Sequence, residues 1–186
     1  MNLIYGVDYR LKNGWNDWRG GYLDGRQDGG VTTANYNQHI NPQKDGLDSV
    51  WYFVSATGKA RNGPVLANDI VYLQNRNGGY LDTRGRGCND NLLCVSLSPK
   101  QDREPGTGRW KIQLTQNDGE NVEIQEQAGF HLLNGWNDWQ GGHLDTRGYA
   151  TGYNASGTVP LLLCVSTRDG WDGVDSPQTT MWWAER

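Results

Sequence analysis

The chain is predicted to fold as an all-β domain built from three copies of one unit of about four short strands, and three observations point there. The first is an internal repeat. Asn13-Gly14-Trp15-Asn16-Asp17-Trp18-Arg19-Gly20-Gly21-Tyr22-Leu23-Asp24 returns as Asn134-Gly135-Trp136-Asn137-Asp138-Trp139-Gln140-Gly141-Gly142-His143-Leu144-Asp145. A shortened version, Asn75-Arg76-Asn77-Gly78-Gly79-Tyr80-Leu81-Asp82, lies between them. The closing Asp residues stand 58 and 63 residues apart, too far for a solenoid of helical pairs and suited to a unit of four short strands. The second observation is 26 Gly against 6 Pro, which implies many tight turns at positive φ. The third is the core material: only 35% of the 186 residues are hydrophobic, yet 9 Trp and 9 Tyr each bury more area than an aliphatic residue.

The strands follow in order. In the first unit, Val7 to Leu11 alternates as a strand, the Trp-rich loop follows, and Tyr22-Leu23-Asp24 returns to complete a hairpin. A third strand is expected at Val31 to Tyr36, then a polar loop from Asn37 to Asp48, then the apolar strand Val50 to Val54. The second unit offers Ile70 to Leu73, Tyr80 to Asp82, Leu92 to Ser96 and Trp110 to Leu114; the third offers Phe130 to Leu133, His143 to Asp145, Leu161 to Val165 and Met181 to Ala184. Each unit ends on a strand that carries a Trp: Trp51, Trp110 and Trp182. Units of roughly 60 residues are each marginal alone, so they are expected to share one core as repeats 1–62, 63–122 and 123–186 of a single domain. Three such units, closed into a barrel with a cap of three hairpins, make a β-trefoil, whose closure removes exposed strand edges.

The Gly-Tyr-Leu-Asp-x-Arg pattern at Gly21 to Arg26 and Gly79 to Arg84, with His143 replacing Tyr in Gly142 to Arg147, resembles the Cys-Val-Asp-Val-Arg-type strand of ricin B-type lectin domains. The resemblance extends over essentially the whole chain. It departs from the family at the Gln-x-Trp signature, which reads Ser49-Val50-Trp51, Gly108-Arg109-Trp110 and Thr180-Met181-Trp182 here. It implies a lectin in which Asp24, Asp82 and Asp145 accept hydrogen bonds from sugar hydroxyls, a task suited to a carboxylate's two coplanar acceptors. Trefoil protease inhibitors and actin-bundling trefoils are relatives with other roles.

Composition narrows the partners. A formal charge of −4 with no basic run argues against nucleic acid, whose binding depends on clustered Lys and Arg. No stretch approaches the ~20 apolar residues of a membrane span. The start of the chain lacks the basic and apolar regions of a secretion signal, which predicts a cytoplasmic protein or one released by a non-classical route. With 3 Cys, a full disulfide framework is excluded; Cys94 and Cys164 lie in matching apolar runs and read as buried thiols, and Cys88 is within reach of Cys94. The Asn154-Ala155-Ser156 sequon matters only for a secreted eukaryotic protein. The expected partners are glycans or glycoconjugates, with a homodimer left open as the assembly.

Trp15, Asp17, Trp18, Trp136, Asp138 and Trp139 are the candidate binding residues of the loops, joined by Asp24, Asp82 and Asp145 of the strands. The loops offer flat apolar faces on which a pyranose can stack, beside Asn and Asp groups that orient it. The competing reading has these Trp plugging the open barrel end; the three-residue spacing predicts one ring inward and one outward. Each strand Asp has an equally simple alternative, a local pair with Arg26, Arg84 or Arg147 two residues on. Tyr36 with Asn37, and Trp171 between Asp169 and Asp172, are further aromatic candidates. No enzyme, metal or cofactor is expected. Glycoside hydrolysis needs two carboxylates across one bond, whereas these Asp recur once per repeat around a threefold axis; His39, His131 and His143 stand at no ligand spacing. A protein-binding trefoil, either a hydrolase inhibitor or a toxin receptor-binding module, is the alternative, presenting the 37–48 or Ser98 to Gly108 loop.

Overall fold

A computed structural model describes residues 1–26, 29–34, 49–115, 119, 121–149, 163–170 and 177–186. Among the described residues run twelve strands: β1 (Arg10–Asn13), β2 (Tyr22–Gly25), β3 (Val31–Ala34), β4 (Trp51–Ser55), β5 (Ile70–Asn75), β6 (Tyr80–Arg86), β7 (Leu93–Ser98), β8 (Trp110–Leu114), β9 (Phe130–Asn134), β10 (His143–Tyr149), β11 (Leu163–Arg168) and β12 (Trp182–Glu185). Helix is confined to single turns. The aromatic candidates Tyr36, Asn37, Trp171 and Asp172, His39, the 37–48 loop and the sequon lie outside the described residues.

Six strands close a barrel. β1 pairs β12, β12 pairs β9, β9 pairs β8, β8 pairs β5 and β5 pairs β4. The ring shuts where Tyr9 and Trp51 exchange backbone hydrogen bonds of 2.7 and 2.8 Å. The other six strands form the hairpins β2–β3, β6–β7 and β10–β11, joined to one another where Cys164 faces Thr32, Ser166 faces Cys94 and Gly30 faces Ser96. This is a β-trefoil: a barrel with a three-hairpin cap.

The core shows why the repeats hold. Trp51, Trp110 and Trp182 are fully buried at equivalent positions, and each indole N–H donates to the carbonyl of the Leu in its own Gly-Gly-x-Leu-Asp strand: Leu23 at 2.8 Å, Leu81 at 3.0 Å and Leu144 at 2.9 Å. A buried indole N–H needs a partner, and this one ties cap strand to barrel strand within every repeat. Truncating one such ring to Ala costs about 3–5 kcal/mol in comparable cores. Leu11, Leu73 and Leu132 form a second buried layer, and Leu23, Leu81 and Leu144 a third.

A second device recurs in all three repeats and, at Asn13 and Asn134, joins a repeat to its neighbour. Asn13, Asn75 and Asn134 are buried, and each backbone N–H donates to Gly21, Gly79 or Gly142 at 2.9 Å. The Asn13 amide donates to the carbonyls of Thr179 (2.9 Å) and Met181 (3.3 Å), while its oxygen accepts from the Thr146 hydroxyl at 2.9 Å, all in the third repeat. Asn134 repeats the pattern toward the second repeat, donating to Thr107 at 2.9 Å and accepting from Thr83 at 3.2 Å. The Gly pair of the motif has two separate causes. Gly21, Gly79 and Gly142 hold φ of 83°, 86° and 79°, which L side chains resist, whereas a Cβ on Gly20 or Gly141 would run into the Asn oxygen.

The cysteine expectations are corrected. Cys88 bonds Cys164, not Cys94, because the turn Cys88–Asp90 swings across the cap to the third repeat, where Asn89 also donates to the Arg147 carbonyl. The bond links positions 76 residues apart and staples repeat two to repeat three. Cys94 is the free thiol, half-buried, with burial raising its pKa.

His131 on β9 is buried, and its Nδ1–H donates to the Thr180 carbonyl at 2.8 Å. Burial lowers its pKa from 6.5 to about 4. As pH falls through 6.5 the unfolded chain takes up this proton first, so His131 lowers stability progressively between pH 6.5 and about 4. Buried Asp82 and Asp145, whose carboxyls are raised, act in the opposite direction as they protonate. The His131→Asn variant keeps a donor near Nδ1 without the titration. Relative to wild type it should gain about 3 kcal/mol of stability on going from pH 7 to pH 4, measured by urea denaturation; a difference between the two proteins that stays constant with pH would contradict the assignment.

Candidate functional site

Loops one and three are the same structure twice. Trp15–Trp18 and Trp136–Trp139 are single turns in which Asn16 (φ 50°, ψ 52°) and Asp17 (57°, 58°) match Asn137 (49°, 52°) and Asp138 (56°, 56°), all left-handed. Trp18 and Trp139 follow at φ 63° and 67°. Asn and Asp tolerate this region, but a bulky Trp does not adopt it without cost, so surrounding contacts must hold it there. They are present. The buried Asn13 and Asn134 oxygens each accept from the Trp15 or Trp136 N–H at 3.1 Å, and the turn closes through Arg19 or Gln140 N–H to the same Trp carbonyl at 2.9 Å.

The two rings of each loop separate as their spacing implied. Trp15 and Trp136 are exposed, at 37% and 38%, and Asn16, Asp17, Asn137 and Asp138 are exposed beside them. Trp18 and Trp139 are half-buried and act as anchors. Trp18 stacks on Trp183 of β12 with centroids 3.9 Å apart and planes 10° from parallel. Trp139 instead lies under the Lys111 ammonium, 4.2 Å from the ring centroid. With one face of each anchor engaged, the outward indole is the ring left open to solvent.

The strand carboxylates do not join this surface. Asp24, Asp82 and Asp145 are 8%, 0% and 1% exposed, so the expectation that they face a sugar is corrected. Asp82 accepts from the Thr107 hydroxyl at 2.9 Å and from Arg103 Nε at 3.3 Å. Asp145 accepts from the Asn91 amide at 2.9 Å and interacts with Thr179. Burial raises both carboxyls above the usual range, against the pull of these donors. In repeat two the local Asp-x-Arg pair is replaced: the partner of Asp82 is Arg103, not Arg84; in repeat three Arg147 acts on Asp145 electrostatically and donates to Asn91 at 3.3 Å. Polar strands wrapped into a cap need internal acceptors, and these Asp supply them. A Thr three residues before the repeat-ending Trp, at Thr107 and Thr179, was the legible sign of that pairing; the first repeat has Asp48 there, outside the described residues.

Three cross-strand sets line the barrel beside the loops, and only the loop residues were foreseen. Beside loop one, Trp183, Lys12 and Tyr22 sit in register, and the Tyr22 hydroxyl donates to Glu185. Beside loop three the corresponding row is Lys111, Leu133 and His143, with His143 Nε2 bonded to Gln113 at 3.0 Å. Beside the shorter middle loop it is Tyr52, Gln74 and Tyr80. Among the described residues no cluster of His, Cys, Asp or Glu could hold a metal, and no helix is long and apolar enough to cross a membrane.

No protein-family model matches the chain, and no curated protein sequence matches it significantly. Its shape does have counterparts among solved structures. An SDF2-like protein from Arabidopsis thaliana aligns with a TM-score of 0.72 at 14% identity, over 100% of this chain and 96% of that one. The S. cerevisiae protein O-mannosyltransferase Pmt1-Pmt2 complex bound to the sugar donor aligns at 0.68 and 12%, over 100% of this chain and 25% of that one. The receptor binding domain of botulinum neurotoxin D aligns at 0.66 and 11%, over 98% of this chain and 41% of that one. At such identities the likeness establishes the β-trefoil fold.

The carboxylates thus divide into internal and external sets, and denaturation distinguishes them. Asp82→Ala and Asp145→Ala, which strand buried donors, should each lose about 2–3 kcal/mol. Asp17→Ala and Asp138→Ala should change stability by less than about 0.5 kcal/mol. Equal effects from the two sets would contradict the placement of the strand Asp in the interior.

Proposed function

We propose that the chain is a non-enzymatic carbohydrate-binding β-trefoil with two equivalent sites, one at Trp15–Trp18 and one at Trp136–Trp139. The observation that carries this reading is the duplicated loop: a costly left-handed turn, held twice by the same buried Asn, presents an exposed indole beside exposed Asn and Asp groups. Large exposed aromatics flanked by polar groups are what a pyranose site requires, with the C–H face of the sugar on the ring and its hydroxyls on the amide and carboxylate. Two weak sites on one rigid body multiply on a surface dense in glycans. The sequence resemblance to ricin B-type lectins supports the same class, although the sugar-orienting carboxylates here are Asp17 and Asp138 instead of the strand Asp.

A protein-binding trefoil is the second reading, supported by the likeness to a toxin receptor-binding domain. The inhibitor version is weakened by the Ser98 to Gly108 loop. Asp102 accepts from Gly106 N–H at 3.2 Å and Gly108 N–H at 3.1 Å and pairs with Arg109, and Arg103 turns inward to Asp82, so the loop is tied to the barrel. The Cys88–Cys164 bond suits a protein that works outside a reducing cytosol, which favours release over cytoplasmic residence.

Calorimetry with a saccharide identified on a glycan array tests the proposal. Wild type should bind about two equivalents per chain, and Trp15→Ala or Trp136→Ala should each remove one, weakening that site by about 1–3 kcal/mol. Absence of any saccharide binding, or full binding by the double variant, would overturn it.

A further inference from the structure

Each Trp loop has a lysine beside it, and the two lysines occupy positions that do not correspond. In repeat one it is Lys12 on β1, whose Nζ lies 5.4 Å from the Trp183 centroid and 5.6 Å from that of Tyr22; Trp183 is the ring on which Trp18 stacks. Beside loop three it is Lys111 on β8, 4.2 Å from the Trp139 centroid. The residue beside loop three that corresponds to Lys12 is Leu133, and the residue beside loop one that corresponds to Lys111 is Trp183. Copying an ancestral unit therefore cannot account for an ammonium in both places. The shorter middle loop has Gln74 and Tyr52 at these positions beside it, and the nearby cation Arg76 is paired with Asp8 at 3.8 Å. Among the described residues, the cation without an ion pair goes with the Trp loop.

Both lysines are half-buried, and among the described residues neither makes an ion pair. An ammonium set on an aromatic face has lost part of its water without gaining a carboxylate, which leaves it ready for an anionic ligand group and strengthens the hydrogen bond it makes to one. We infer that both sites take glycans through an anionic substituent, a carboxylate or a sulfate, bound by Lys12 beside loop one and Lys111 beside loop three while the sugar ring stacks on Trp15 or Trp136. The inference rests on the carbohydrate reading of the Trp loops. It divides each site: Asp17 or Asp138 serves hydroxyl donors, and the lysine serves the anion.

The test compares methyl glucuronide with methyl glucoside, and galactose 3-sulfate with galactose, by calorimetry on the full chain at low and high salt. The anionic member of at least one pair should bind about tenfold more tightly at low salt, with the preference shrinking severalfold by ~0.5 M salt as charge is screened. Which pair shows the preference separates carboxylate from sulfate. In the Lys12→Gln/Lys111→Gln variant the ratio should fall to near one, and Lys12→Arg/Lys111→Arg should restore much of it; thermal melting confirms that the variants are folded. Equal binding of acidic and neutral sugars by wild type, or a preference that persists in the double Gln variant, would overturn this inference and leave the carbohydrate reading standing. Binding of no saccharide at all would overturn both.

Discussion

The indole N–H of Trp51, Trp110 or Trp182, donated to the Leu carbonyl of the same repeat, is the contact on which the rest of the molecule depends. It fixes where the cap strand leaves the barrel, and so where the Gly-Gly turn and the loop before it must sit. The buried Asn at the end of each first strand then carries the constraint across repeats, since Asn13 is held by the third repeat and Asn134 by the second. Such links tie repeat one to repeat three and repeat three to repeat two, across a core that units of this size could not build alone.

The proposed sites lie where threefold symmetry stops. The Trp clamp, the buried Asn and the closing Asp occur in all three repeats, whereas the Trp loop occurs in two. The Asn that bonds the neighbouring repeat also accepts the first N–H of the Trp loop, so the scaffold itself holds the strained turn. In the middle repeat the same Asn oxygen accepts from Asn77 N–H at 3.0 Å and supports a shorter turn. One architectural residue thus serves two loop lengths, and lengthening the loop adds an exposed indole without disturbing the barrel.

Most of the fold was legible in the sequence because a repeat states its own symmetry: Gly-Gly-x-Leu-Asp located three cap strands, and the recurring Trp located three barrel strands. Strand ends moved by up to four residues where pairing, not pattern, decides them, as when β6 and β10 run on past Asp82 and Asp145 to Arg86 and Tyr149. The site was less legible. Repetition marked the Asp residues as important but cannot tell an internal acceptor from an external one, and the Thr that occupies Asp82 comes 25 residues later. Lys12, Lys111 and Trp183 were invisible for a related reason: they reach the loops through strand pairing around the barrel. The Cys88–Cys164 bond depends likewise on how three hairpins meet at the axis.

The Trp residues form two populations, clamps that build the trefoil and outward rings that are proposed to meet a ligand. The most direct measurement is an indole ¹H–¹⁵N spectrum of the 9 Trp, assigned by single substitutions and titrated with a saccharide selected on an array. The Trp15 and Trp136 signals should move together with the titration while Trp51, Trp110 and Trp182 stay fixed. Shifts at the clamps with none at the two loops would contradict that assignment.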